Sequence, residues 1–81
     1  MMSDRAEILD TIVPIIRKYL PERLQGTAIT ETTQLSRDLG INSALVVELV
    51  LTLEDAMTLQ PGDSYAFETV SDLIEYVIAQ R

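Results

Sequence analysis

The sequence predicts an all-α fold: a small four-helix bundle of three main helices and one short helix, with a long first loop. Three segments repeat apolar residues at the three- and four-residue spacing of a helix that buries one face. Turn signals containing proline or glycine separate these segments. A chain of 81 residues, 47% of them apolar, suits one small domain, so we expect residues 1–81 to form a single domain.

The first helix is expected to begin at Ser3 or Asp4, either of which can cap it. Pro14 removes one backbone hydrogen bond from such a helix, which costs about 3 kcal/mol if nothing compensates. The stable helix could instead begin near Asp10, but we favour a single kinked helix that ends before Pro21. Its apolar face comprises Ile8, Leu9, Ile12, Val13, Ile16 and Leu20.

A long connection follows the first helix and extends from Glu22 to Arg37. A structureless loop of this length is uncommon in a compact domain unless side chains hold it in place. We therefore expect Ile29, Leu35 and Leu39 to anchor the connection in the core.

The central helix is the longest helical segment, and a turn at Gly40 leads into it. Asn42 is a suitable N-cap, which makes Ser43 the first helical residue and leaves its hydroxyl exposed beside free backbone N–H groups. Taken alone, Ser43 is also compatible with an ordinary first-turn serine. The predicted buried face comprises Leu45, Val46, Leu49, Val50, Leu53, Ala56 and Met57.

The opposite face of the central helix is unusual because it is partly apolar. Ala44, Val47 and Leu51 recur there at helical spacing. The acids that flank them are Glu48, Glu54 and Asp55. Apolar residues among acids indicate a surface for a partner protein, although periodicity alone equally allows contact with another helix of the same domain.

The last third of the chain contains a turn at residues 60–63, one helical turn at residues 64–67 and a final helix. Thr69 is expected to cap this helix, and Asp72 completes a capping box. The predicted apolar face comprises Val70, Leu73, Ile74, Val77 and Ile78.

The composition argues against an enzyme. The chain has no histidine and no cysteine, which excludes imidazole catalysis, thiolate chemistry and the usual zinc sites. No base is suggested near Ser43, Asp38 is expected to be a turn residue, and no calcium-binding loop motif occurs. We expect neither catalysis nor a metal site.

Charge is distributed unevenly along the chain, whose net charge is −7. From Asp38 to Gln80 there are eight acids and no Lys or Arg, which disfavours nucleic acid and anionic membranes and favours a basic protein partner. No signal peptide and no apolar run of about 20 residues is visible. We expect a cytoplasmic monomer.

The central segment resembles the acyl carrier proteins. The order Leu39, Gly40, Ser43, then Val47-Glu48-Leu49-Val50 and Leu53-Glu54-Asp55, is similar to their pattern LGxDSLxxVELVxxLEEEF. Thr69-Val70 with Ile74, Tyr76 and Val77 is similar to their closing pattern TVxxxIxYI. The resemblance covers roughly residues 35–57 and 67–78.

This resemblance implies that Ser43 carries a 4′-phosphopantetheine arm taken from coenzyme A, on which acyl groups are held as thioesters. Implied partners are a phosphopantetheinyl transferase, an acyl-loading ligase or transferase, and ketosynthase-type or acyltransferase enzymes with basic docking patches. The implied partner-binding residues are Asn42, Ala44, Val47, Glu48, Leu51, Glu54 and Asp55. Candidates for lining an acyl pocket are Leu49, Val50, Leu53, Ile74 and Val77, and a simply packed core predicts the same residues.

Two residues depart from the family pattern beside the serine: Asn42 stands where the family has Asp, and Ala44 where it has Leu. Our hypothesis is a specialised carrier served by a dedicated or tolerant set of partners, in a fatty-acid, lipid or polyketide pathway. The alternative is an unmodified acidic helical adaptor that binds a basic partner directly.

Overall fold

A computed structural model describes residues 4–62 and 65–80 of the chain. Three α-helices carry the fold: α1 (Asp4–Arg17), α2 (Ser43–Met57) and α3 (Val70–Gln80). One 3₁₀ turn, Glu22–Leu24, lies in the first connection. The predicted all-α fold with a long first loop is confirmed. None of the described helices is long and apolar enough to cross a membrane.

Helix α1 is a single helix that contains Pro14, so the alternative start near Asp10 is wrong. Ser3 lies outside the described residues. The α-helical part ends at Arg17, and the chain continues through tighter turns in which the Tyr19 N–H donates to the Ile16 carbonyl at 3.0 Å. Ile15, which was not predicted to be buried, joins the core.

The core lies where α1 packs against both α2 and α3. Its fully buried members come from all three helices and from the first connection. The residues buried to less than 2% exposure include Ile8, Ile12, Ile16, Leu35, Leu39, Ile41, Leu49, Leu53, Leu73 and Ile74. Most of the core is helical, and the first connection completes it with Leu35, Leu39 and Ile41.

The first connection is anchored as predicted, because Ile29, Leu35 and Leu39 are all buried. Its backbone also pairs with the chain at the start of α3. The Leu35 N–H donates to the Glu68 carbonyl at 2.8 Å, and the Val70 N–H donates to the carbonyl of Thr33 at 3.0 Å. These bonds hold the loop against the beginning of α3.

A side-chain cluster reinforces this junction. The guanidinium of Arg5 donates to the carboxylate of Glu31 at 2.6 Å and to the Ser71 hydroxyl at 2.9 Å, and it also pairs with Glu75. Arg5 therefore links α1, the first connection and α3.

The helical turn expected at residues 64–67 is not formed by its described part, residues 65–67. Tyr65 and Phe67 are half-buried while Ala66 and Glu68 are exposed, which is the two-residue alternation of extended chain. The reason is tertiary: this segment pairs with the first connection through a bridge between Gln34 and Thr69.

Helix α3 begins as predicted. The Thr69 hydroxyl accepts from the Asp72 N–H at 3.2 Å, and the Asp72 carboxylate accepts from the Thr69 N–H at 3.1 Å. Val70, Leu73, Ile74 and Val77 are buried, whereas Ile78 is 39% exposed. The prediction for Ile78 is wrong because at about 100° per residue it falls at the edge of the buried stripe.

Candidate functional site

The candidate site lies where the first connection enters α2. Gly40 adopts φ +69°, a conformation that glycine reaches without strain. The Gly40 N–H donates to the Ser36 carbonyl at 2.9 Å, and the Asp38 carboxylate accepts from the Gln34 N–H at 2.8 Å. Ile41 is buried to 1% exposure. These contacts set the position from which α2 begins.

Asn42 caps α2, as the sequence predicted. Its side-chain oxygen accepts from the Leu45 N–H at 2.9 Å, and Ser43 is the first residue of the helix. Ser43 and both of its neighbours are exposed. A hydroxyl in this position is accessible for covalent attachment of a phosphate-linked group. The N–H groups of the first turn stabilise the negative charge of such a phosphate. The residues present therefore fit a phosphodiester at Ser43.

The outward face of α2 is largely as predicted. Val47 and Leu51 are 38% and 49% exposed, and Ala44, Glu48 and Asp55 are exposed as well. Val47 and Leu51 therefore lie outside the buried core that the described helices share. Their role in binding partners stays a prediction.

Glu54 corrects the prediction for this face, because it is only 7% exposed and does not belong to the outward surface. Its carboxylate accepts from the Tyr65 hydroxyl at 3.0 Å, from the Gly62 N–H at 3.2 Å and from the hydroxyl of Tyr76. These three donors come from α3 and from the second connection, which is the chain between α2 and α3 (residues 58–69). They cover Glu54, so it cannot meet a basic residue of a partner as Glu48 and Asp55 can.

The tyrosines around Glu54 are held in their neutral, donating form. Burial and, next, the hydrogen bond to Glu54 raise the pKa of Tyr76, and the same two causes raise the pKa of Tyr65. Both hydroxyls therefore remain donors to the carboxylate across the physiological pH range.

The five candidates for an acyl pocket are all fully buried. Leu49, Val50, Leu53, Ile74 and Val77 each have 0% exposure and belong to one apolar cluster. Of the other residues predicted for the buried face of α2, Val46 is buried and Leu45 and Met57 are half-buried. The prediction for Ala56 is wrong, because this residue is exposed. The five residues form packed core, and their role in sheltering an acyl chain stays a prediction.

The sequence did not point to a groove that the structure contains. It has a volume of about 360 Å³ and lies between the first connection and the chain before α3. Gln34, Ser36, Arg37, Phe67 and Glu68 line it. These residues come from two segments about 30 positions apart, so no local pattern could have grouped them.

An exposed serine at the start of a capped helix, on a small helical bundle with an acidic outward face, defines a domain that can tether a prosthetic group. A family model described as the phosphopantetheine attachment site matches residues 10–77. The chain is 36% identical over 67 residues to an acyl carrier protein of Desulforapulum autotrophicum, which covers 76% of this chain and 87% of the relative.

A second relative is an acyl carrier protein of Saccharopolyspora erythraea, which is 34% identical over 77 residues, or 93% of this chain and 79% of the relative. No solved structure gives a significant match. The chain belongs to the acyl carrier proteins of the phosphopantetheine attachment family. It is an acyl carrier that bears 4′-phosphopantetheine, and its family carries acyl groups rather than catalysing their conversion.

Proposed function

We propose that Ser43 is the residue to which 4′-phosphopantetheine is attached. Its Oγ would form a phosphodiester with the arm as the pyrophosphate bond of coenzyme A breaks, which releases adenosine 3′,5′-bisphosphate, and the hydroxyl proton would pass to a base of the transferase or to solvent. The observation that carries this proposal is the geometry of the α2 start: Ser43 is exposed, is the first helical residue and follows the Asn42 cap. It also lies inside the span that the family model matches. When bound, the arm supplies a terminal thiol that holds an acyl group as a thioester.

The residues around Ser43 have separable tasks in this proposal. Asn42 orders the first turn of α2 by accepting from Leu45, so the free N–H groups of that turn face the phosphate. Asn42 supplies the cap without a negative charge, and Ala44 offers little apolar surface beside the serine. These two residues support the proposal of a specialised carrier with dedicated or tolerant partners, in a fatty-acid, lipid or polyketide pathway.

The attachment is tested by intact mass after co-expression with several phosphopantetheinyl transferases. We expect wild type to gain one arm, Ser43→Ala to gain none, and the matched exposed-serine control Ser36→Ala to gain one. Circular dichroism should show the same helix content for all three. Absence of the adduct under every transferase would overturn the proposal and would favour the unmodified adaptor, whose binding to a basic partner Ser43→Ala would leave intact.

We also propose that enzymes with basic patches dock on the outward face of α2. Such partners would include the transferase, an acyl-loading ligase or transferase, and ketosynthase-type or acyltransferase enzymes. Ala44, Val47 and Leu51 would supply apolar contact, and Glu48 and Asp55 would supply charge. Exposed ion pairs contribute only about 0.2 to 1 kcal/mol each, which suits brief encounters. Residues 1–81 would act as one monomeric domain in the cytoplasm.

A matched pair of exposed apolar residues tests the docking face. Leu51→Ser on α2 should weaken transferase binding several-fold, seen as a higher KM, because it removes an apolar contact from the interface. Ile78→Ser on α3 changes the same kind of exposed side chain away from this face and should leave KM unchanged. Equal effects of the two substitutions would place the docking surface elsewhere.

A further inference from the structure

The groove between the first connection and the chain before α3 is lined by four polar side chains and one aromatic side chain. The side chains of Gln34, Ser36, Arg37 and Glu68 make no hydrogen bond or ion pair with any residue in 4–62 or 65–80. They offer N–H and O–H donors as well as carbonyl, hydroxyl and carboxylate acceptors. Arg37 and Glu68 balance in charge, and Phe67 adds an aromatic wall.

Such a lining suits one kind of ligand. A strongly charged group would meet both a cation and an anion. A purely apolar chain would contact Phe67 but would make no hydrogen bond with the four polar side chains, of which Ser36, Arg37 and Glu68 are exposed to solvent. An uncharged chain that carries amide donors and acceptors together with an apolar segment matches both features. The pantetheine portion of the arm is such a chain, since it contains two amides, a hydroxyl and a pair of geminal methyl groups.

The walls of the groove are held by contacts inside the domain. Gln34 pairs with Thr69, and the Leu35 N–H donates to the Glu68 carbonyl at 2.8 Å. On the other wall, the Phe67 and Tyr76 rings meet edge to face with their centroids 5.3 Å apart. The groove is therefore formed without its ligand, which lowers the entropy lost on binding.

The groove also lies near Ser43. The Ile41 N–H donates to the Leu35 carbonyl at 2.9 Å, which places the wall containing Gln34 and Ser36 directly beside Ile41. Ser43 is two residues further on, a distance of at most about 7 Å along the chain. An arm long enough to enter the active site of another enzyme can reach this groove.

The fully buried core offers no comparable place for the amides. Leu49, Val50 and Ile74 have 0% exposure, and an amide buried among them would lose its hydrogen bonds to water without gaining a partner. We infer that the groove lined by Gln34, Ser36, Arg37, Phe67 and Glu68 receives the pantetheine portion of the arm between encounters with enzymes. This inference rests on the proposed attachment at Ser43.

Nuclear magnetic resonance of the modified protein tests the inference directly. Phe67 is the chain's one phenylalanine, so its ring protons give an unambiguous probe. After intact mass has confirmed the arm, we expect nuclear Overhauser effects between the Phe67 ring and the geminal methyl protons. The backbone amides of Ser36, Arg37 and Glu68 should also shift between the unmodified and the modified protein.

Two substitutions on the first connection provide a matched comparison. Ser36→Leu fills the groove at an exposed position and should abolish the Phe67 contacts and the shift at Glu68. Ala28→Leu is also exposed but lies outside the lining, and should preserve both. An arm confirmed by mass whose shifts are confined to residues 41–45 would overturn the inference while leaving the attachment proposal intact. Failure to form the adduct at all would overturn both.

Discussion

The two ends of α2 use polar side chains in opposite ways. At its beginning, Asn42 accepts hydrogen bonds from the backbone of its own helix and makes no other hydrogen bond within residues 4–62 and 65–80, and Ser43 is exposed. At its end, the Glu54 side chain accepts from three groups that lie 8 to 22 residues further along the chain. The beginning of α2 is therefore exposed to solvent, whereas Glu54 near its end is covered by other segments of the chain.

The two ends of α2 therefore have different roles: the beginning exposes the Ser43 hydroxyl, and the end stabilises the fold. The exposed start of α2 leaves the Ser43 hydroxyl accessible, and its cap is satisfied locally. The end of α2 holds the second connection and α3 in position through Glu54, and Tyr76 in turn packs against Phe67. Substitution of Glu54 should therefore mainly change stability, whereas we expect removal of the Ser43 hydroxyl to leave the fold unchanged.

The largest effect should come from Glu54→Gln. The neutral amide loses the charge-assisted bonds from Tyr65 and Tyr76, and its NH₂ group meets donors, so we expect the free energy of unfolding to fall by about 2 kcal/mol. Urea denaturation measures this change. The neighbouring exposed acid provides the control: Asp55→Asn should change stability by less than about 0.5 kcal/mol. Similar losses for the two variants would contradict the difference between a buried and an exposed acid.

A second, somewhat smaller effect is expected from Gly62→Ala. A Cβ at this position would lie 2.5 to 2.9 Å from atoms of the Tyr76 ring, so the ring or the connection must shift. Overpacking of this kind costs about 1 to 3 kcal/mol, and because the Tyr76 side chain can shift we expect a loss of about 1.5 kcal/mol. The control is Gly26→Ala, where a Cβ meets nothing within 4 Å. Thermal unfolding should show a lower Tm for Gly62→Ala only.

The smallest effect on stability is expected at the beginning of α2. Asn42→Ala removes the acceptor for the Leu45 N–H and should lower the free energy of unfolding by about 1 kcal/mol. Asn42→Asp keeps the acceptor and should retain the stability of wild type, as measured by the same urea titration. A loss for Asn42→Asp as large as that for Asn42→Ala would show that the cap bond is not what stabilises this turn.

Local features of the fold could be predicted because they depend on residues close in sequence. The Asn42 cap, the Thr69 and Asp72 capping box and the turn at Gly40 each involve partners within four residues. The anchors of the first connection were also predictable, because a long loop in a compact domain is usually held in place by its apolar side chains packing into the core.

The errors share a different cause. Glu54 and Ile78 both lie at the edge of a helical stripe, where a residue's periodicity does not determine whether another segment covers it. Glu54 is covered because Tyr65 and Tyr76 reach it, and Ile78 stays exposed. The extended chain at residues 65–67 likewise depends on pairing with the first connection, which a local helix signal cannot reveal.

The sequence by itself determined the helical class, the cap that places Ser43 at the start of α2 and the resemblance to acyl carriers, because these depend on spacing along one chain segment. Only the tertiary structure decided which acids of α2 are exposed and where a groove beside Ser43 forms. Glu54 is covered by groups 8 to 22 positions further along the chain, and the groove joins segments about 30 positions apart. A local sequence pattern does not show which residues so far apart in the chain come into contact.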